Sequence, residues 1–106
     1  MDTLRVEINE LVDISPNCLA CHIKIGKDSK ELSIDQILFK ISNYLEWYKV
    51  VIIEAEDIMT QPLVSLFTLV DSIRYKFNKC VWLTTKNYDI PEGLLDHFDL
   101  VGEVEK

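Results

Sequence analysis

Two cysteines and a histidine stand close together near the amino end of the chain, in the segment Cys18-Leu19-Ala20-Cys21-His22. Thiolates and imidazoles are metal ligands, and C-x-x-C-H is also the spacing of covalent haem attachment. A structural zinc site needs four ligands, of which this segment could supply three. A redox dithiol would need the cysteine pair to open a helix. Haem, zinc and dithiol chemistry are therefore hypotheses, with Cys18, Cys21 and His22 as the candidate metal ligands.

A second group of reactive side chains follows a buried strand. Val50-Val51-Ile52-Ile53 is an unbroken β-branched run, typical of a strand covered on both faces, and Glu54-Ala55-Glu56-Asp57 comes directly after it. The carboxyl end of a strand is where α/β proteins usually build ligand sites. Carboxylate oxygens bind hard divalent cations. The competing interpretation of this segment is a solvated acidic loop.

The elements that must position these groups alternate between strands and helices. Ser33 and Gln36 have capping-box spacing, which predicts a helix that begins at Ser33 and ends near Tyr48. The other predicted elements are strands at Leu4–Ile8, Val50–Ile53, Cys80–Thr84 and Asp99–Val104, and helices from Gln61 to Phe77 and from Pro91 to Phe98. The order β-α-β-α-β-α-β predicts a single α/β domain over residues 1–106 with a mostly parallel sheet, shaped as a partial half-barrel or as a small three-layer sheet.

Composition limits the function classes. The chain has 106 residues and a formal net charge of −7, so direct binding to nucleic-acid phosphate is disfavoured. No apolar run approaches the roughly 20 residues of a membrane helix. The amino terminus lacks the pattern of a signal peptide, and three cysteines are not a disulfide framework. These features predict a cytoplasmic protein and disfavour haem attachment.

Several short motifs follow one another in a recognisable order. They are Cys18 and Cys21 with His22, Asp57, Gln61-Pro62 before an apolar helix, Val81-Trp82-Leu83-Thr84, and Phe98-Asp99-Leu100-Val101. In this order they resemble the activating component of the anaerobic ribonucleotide reductase, a radical S-adenosylmethionine protein. The resemblance implies a [4Fe–4S] cluster held by three cysteines, of which Cys18 and Cys21 match two. It also implies S-adenosylmethionine bound near Asp57.

The departures from that family fall on its chemistry. Ile14 stands where the family has its first cysteine, and isoleucine cannot ligate iron. Ala55 and Glu56 stand where the family has glycines that let the backbone approach its ligand. We therefore expect a catalytically degenerate domain without a cofactor. The alternative is a residual [4Fe–4S] and S-adenosylmethionine enzyme that activates a glycyl-radical ribonucleotide reductase.

A degenerate domain of this charge is expected to work by binding another protein. The partner would be a reductase, or a nucleic-acid enzyme whose basic groove accepts an acidic surface. Docking would let the chain act as a regulator or inhibitor. The carboxylates expected to form the partner-binding surface are Glu54, Glu56, Asp57, Asp96, Asp99 and Glu103.

Overall fold

The computed structural model describes residues 3–15, 18–26, 30–57, 61–86, 90 and 92–103 of the chain. Within these residues the chain forms strands and helices in a nearly alternating order. They are β1 (Thr3–Ser15), β2 (Cys18–Ile25), β3 (Lys30–Ser33), α1 (Ile34–Ser42), β4 (Val50–Ala55), α2 (Leu63–Tyr75), β5 (Cys80–Thr85), α3 (Glu92–Leu95) and β6 (Leu100–Glu103).

The strands form one six-stranded sheet in the order β3-β1-β2-β4-β5-β6. β1 is antiparallel to both β2 and β3, whereas β2, β4, β5 and β6 are parallel to one another. The predicted α/β class is therefore confirmed. The predicted half-barrel is wrong, because the sheet is open and mixed, and it ends at β3 on one side and β6 on the other. The cause is the antiparallel pairing of β1 with both β2 and β3, which places two antiparallel strands at one side of the parallel ones.

The helices cover one face of the sheet. The connections β3-α1-β4, β4-α2-β5 and β5-α3-β6 all advance in the same direction across it. Right-handed crossovers that advance in one direction place their helices on the same side. The core lies between this helix layer and the sheet face formed by alternate strand residues. Its fully buried members include Cys21, Ile23, Ile37, Ile41, Val51, Ile53, Leu66, Leu69, Ile73, Val81 and Leu83.

The start of α1 follows the predicted capping box, but its end does not follow the prediction. The Gln36 backbone N–H donates to Ser33 Oγ at 3.1 Å, and the Ser33 N–H donates to Gln36 Oε1 at 2.8 Å. The helix ends at Ser42 and turns carry the chain to Tyr48, whose hydroxyl donates back to the Ile41 carbonyl at 3.0 Å. The returning chain buries the Tyr48 ring against the helix. The apolar residues from Tyr44 to Tyr48 are therefore spaced to pack against the core, although they lie outside the helix.

None of the helices in the described part of the chain has the length and apolar character needed to span a membrane.

Candidate functional site: the uncovered sheet face

The cysteine and histidine segment lies within a strand. β2 pairs regularly with β4 from Ala20 to Ile25, so its side chains alternate between the two faces of the sheet. Cys21 points into the core and is 0 % exposed. Cys18 and His22 stand at an odd separation from Cys21, and therefore on the opposite face. β2 does not bring the three predicted ligands together.

The cysteines are also far from the acidic residue predicted to bind S-adenosylmethionine. Ala20 pairs with Val50 and Ile25 pairs with Ala55, so Cys18 and Asp57 lie beyond opposite ends of this strand pair. At about 3.3 Å per residue, they are more than about 20 Å apart along the strands. The residues present therefore do not fit a [4Fe–4S] cluster with adjacent S-adenosylmethionine. Within the described residues no three His, Cys, Asp or Glu side chains are grouped closely enough to hold a metal ion.

The predicted acidic surface is divided between the two ends of the sheet. Glu54, Glu56 and Asp57 lie at the carboxyl end of β4, and Glu103 pairs with Thr85 at the same end. The Glu56 side chain is 81 % exposed, with Lys86 Nζ 4.0 Å from its carboxylate. The remaining two predicted residues, Asp96 and Asp99, precede β6 and so lie at the amino end.

Asp99 has a structural role at the amino end. One carboxylate oxygen accepts the Val81 backbone N–H at 2.8 Å, and the other lies 3.3 Å from Arg74 Nη2. Arg74 also donates to the backbone carbonyls of Asp96 and His97, at 3.3 and 2.8 Å. These contacts tie the chain segment before β6 to helix α2, so Asp99 is already engaged within the fold.

His97 also takes part in these contacts between α2 and the segment before β6, which together with those of Arg74 and Asp99 we call the α2–β6 contact. Its Nδ1 is 3.0 Å from an Asp71 carboxylate oxygen of α2, and its ring stacks on Phe67 at a centroid distance of 4.4 Å. The side chain is half-buried. This arrangement explains the histidine as a packed contact between α2 and the α3–β6 segment.

The feature that sequence reasoning missed is the sheet face opposite the helices, which we call the open face. Its middle row crosses four strands and contains His22, Ile52, Trp82 and Leu100, each paired with the next in register. Ile52 and Trp82 are half-buried, and Leu100 is 53 % exposed. The run Val50–Ile53 had predicted a strand covered on both faces, whereas the described helices cover only one. The sequence signal for this face is the alternation of charged and apolar residues in Ile23-Lys24-Ile25 and Ile53-Glu54-Ala55, which is typical of strands with one face toward solvent.

Polar side chains on the open face hold His22 in one orientation. Asn9 Nδ2 lies 3.2 Å from His22 Nδ1, and His22 Nε2 lies 3.3 Å from Glu54 Oε1. Because an amide NH₂ is only a donor, Nδ1 accepts this bond and the proton of the neutral ring lies on Nε2. Both ring nitrogens are engaged, so His22 is a fixed part of the surface.

Comparisons of the chain with models of protein families, with curated proteins and with solved structures found no match.

Proposed function

We propose that the chain is a protein-binding module, a regulator or inhibitor that docks a partner protein through the open face. The observation that carries this proposal is that the described helices cover one face of the sheet and leave Leu100 exposed and Ile52 and Trp82 partly exposed on the other. Solvent-facing sheet surfaces normally present polar residues. Here three apolar residues, Ile52 of β4, Trp82 of β5 and Leu100 of β6, lie side by side.

The chemistry of the open face defines the partner. Aromatic and aliphatic groups at the centre of a surface, with charged groups around them, are the composition of protein–protein interfaces. Beside the row of Ile52 and Trp82 runs a second row in which Glu7, Lys24 and Glu54 are in register. The partner surface should therefore have an apolar centre and a rim with charges of both signs. Glu56 and Asp57 border the face, and basic groups of the partner would meet them there.

Binding in place of catalysis is supported by the state of the reactive side chains. The Cys21 thiol lies in the core, and both nitrogens of His22 have hydrogen-bond partners. A residual iron–sulfur enzyme would need Cys18, Cys21 and a third ligand on one side of β2, which strand alternation disfavours. The radical S-adenosylmethionine ancestry and the cytoplasmic location stay predictions.

Site-specific photo-crosslinking tests the docking surface. A photoreactive phenylalanine analogue replaces Leu100, which is on the open face and 53 % exposed, in the cells that make the protein. The matched control places the same analogue at Phe39, which is 71 % exposed on helix α1. We expect a discrete protein adduct from position 100 and none from position 39. Equal adducts from both positions, or none from position 100, would contradict the proposal.

The crosslinked protein then provides a quantitative test. Its affinity is measured with the purified wild-type chain, with Leu100→Glu and with Phe39→Glu. A charge placed in an apolar contact should raise Kd about ten-fold or more. Phe39→Glu carries the same change of charge outside the face and should leave Kd unaltered.

A further inference from the structure

The charge of the open face differs from that of the whole chain. Its strand residues include two basic side chains, Arg5 and Lys24, and three acidic ones, Glu7, Glu31 and Glu54. Two positive and three negative charges leave a formal charge of −1 on the strands of the face, inside the bordering Glu56 and Asp57, whereas the chain carries −7. The excess negative charge therefore lies mostly elsewhere. A nearly balanced surface on an acidic protein is suited to meeting an identical surface.

The row Glu7–Lys24–Glu54 contains the specific complementarity. Lys24 pairs in register with Glu7 on one side and with Glu54 on the other. It is exposed, and in the described part of the chain it forms no ion pair with either carboxylate. Glu54 instead contacts His22. The lysine ammonium is thus available for a carboxylate that approaches from above the sheet.

From these observations we infer that the occupant of the open face is a second copy of this chain, packed face to face about a two-fold axis. This inference rests on the proposed function and names the partner at the same site. The axis runs parallel to the strands above the boundary of β2 and β4. It sets Lys24 of each copy against Glu54 of the other, and in the neighbouring row it sets Ile52 against His22 and Trp82 against Asn9. Two sheets can pack in this aligned manner at a spacing of about 10 Å.

The size of the face sets the expected strength. Six strands about 4.8 Å apart and roughly 20 Å long present a face of about 500 Å². Two copies together would bury about 1,000 Å², which is at the lower limit for a specific interface. The dimer should therefore be reversible and depend on protein concentration.

Two complementary charge reversals test the inference by sedimentation equilibrium on the purified full chain. Wild type should shift from monomer to dimer as its concentration rises. Lys24→Glu alone sets like charges against each other across the axis, and so does Glu54→Lys alone. Each should weaken dimerisation about ten-fold or more. An equimolar mixture of the two variants restores two opposite pairs, and it should form a heterodimer close to wild-type affinity.

The matched control is Lys40→Glu, which makes the same reversal on the exposed side of α1. It should leave the dimer unchanged. A wild-type chain that stays monomeric at all concentrations would overturn the second-copy inference. So would a dimer that is indifferent to both reversals. Neither result affects the crosslinking test at Leu100, in which an adduct with a different protein would support docking and would name an occupant other than a second copy.

Discussion

At the scale of single residues, Tyr48 shows how burial controls chemistry in this chain. The side chain is 1 % exposed and its hydroxyl donates to the Ile41 carbonyl. Burial, and to a smaller extent the nearby Cys21 thiol, raises the pKa of Tyr48 well above its ordinary value of 10.0. Tyr48 is therefore a neutral hydrogen-bond donor in the folded protein, and ionising it opposes folding.

Replacing Tyr48 with phenylalanine should change both stability and its pH dependence. Loss of the buried hydrogen bond should cost about 1 kcal/mol at neutral pH. In the unfolded chain the hydroxyl ionises above pH 10.0, whereas the folded chain retains the proton. The stabilisation is thus complete below pH 10.0 and is lost above it, by up to about 1.4 kcal/mol per pH unit.

Urea unfolding of wild type and Tyr48→Phe on both sides of pH 10.0 measures this difference. Tyr75→Phe is the control, because Tyr75 is 71 % exposed. The stability of Tyr48→Phe should fall less steeply with pH than that of wild type, whereas Tyr75→Phe should follow wild type. Parallel curves for wild type and Tyr48→Phe would refute the burial of this hydroxyl.

At the scale of elements, helix α2 holds the last strand through side chains. Arg74 and Asp71 of α2 contact the segment that contains Asp96, His97 and Asp99. β6 has only four residues and pairs with β5 alone, so its position depends on more than the sheet ladder. The α2–β6 contact fixes the residue at which β6 begins, and therefore the position of Leu100 on the open face.

Asp99→Ala should therefore weaken the fold. The substitution leaves the half-buried Val81 N–H without its side-chain acceptor and removes the ion pair with Arg74. We expect a loss of about 2 kcal/mol in the free energy of unfolding. Asp96→Ala is the matched control, because the contact of Asp96 with Arg74 uses its backbone carbonyl, which the substitution keeps. Its effect should stay within about 0.5 kcal/mol in urea unfolding. Equal losses for the two variants would contradict this role of Asp99.

At the scale of the whole molecule, the sheet order separates a protected centre from two short edges. β2, β4 and β5 each lie between two neighbours, and their residues Ile23, Ile53 and Leu83 are 0 % exposed. β3 and β6 form the edges with four residues each. Local stability should therefore decrease from β4 outward, and most steeply toward β6, where both Leu100 and Val101 are exposed.

Native-state hydrogen exchange should show this gradient. Amides of β2, β4 and β5 should exchange only through global unfolding, whereas those of β6 that bond to β5 should exchange through a smaller opening. The measurement is exchange followed by NMR at several low denaturant concentrations. Addition of a second copy on the open face should slow exchange in β6 at high protein concentration. A β6 as protected as β4 in dilute protein would contradict the edge assignment.

The sequence predicted the parts of the fold that depend on local signals. The Ser33 and Gln36 capping box, the β-branched run of β4 and the apolar spacing of α2 each encode their element through neighbours in the chain, and all three elements are present. Strand β3 was missed because Lys30–Ser33 has four residues and little local pattern. Its structure depends on pairing with β1, which is distant in sequence.

The candidate site was harder to predict, because spacing along the chain does not say which residues share a face. Cys18, Cys21 and His22 are neighbours in sequence, yet strand alternation separates Cys21 from the other two. Asp96 and Asp99 were grouped with Glu54, yet they lie at the other end of the sheet.

Local chemistry thus determined the class of the protein, its acidity and most of its elements, because these depend on residue types and short-range periodicity. Only the tertiary structure decided that Asn9, His22, Ile52, Trp82 and Leu100 form one continuous surface. They come from five strands, and the hydrogen-bonded register between those strands is what brings them side by side. The described helices all lie on the opposite face because the crossovers advance in a single direction, which is a property of the chain path and of no single residue.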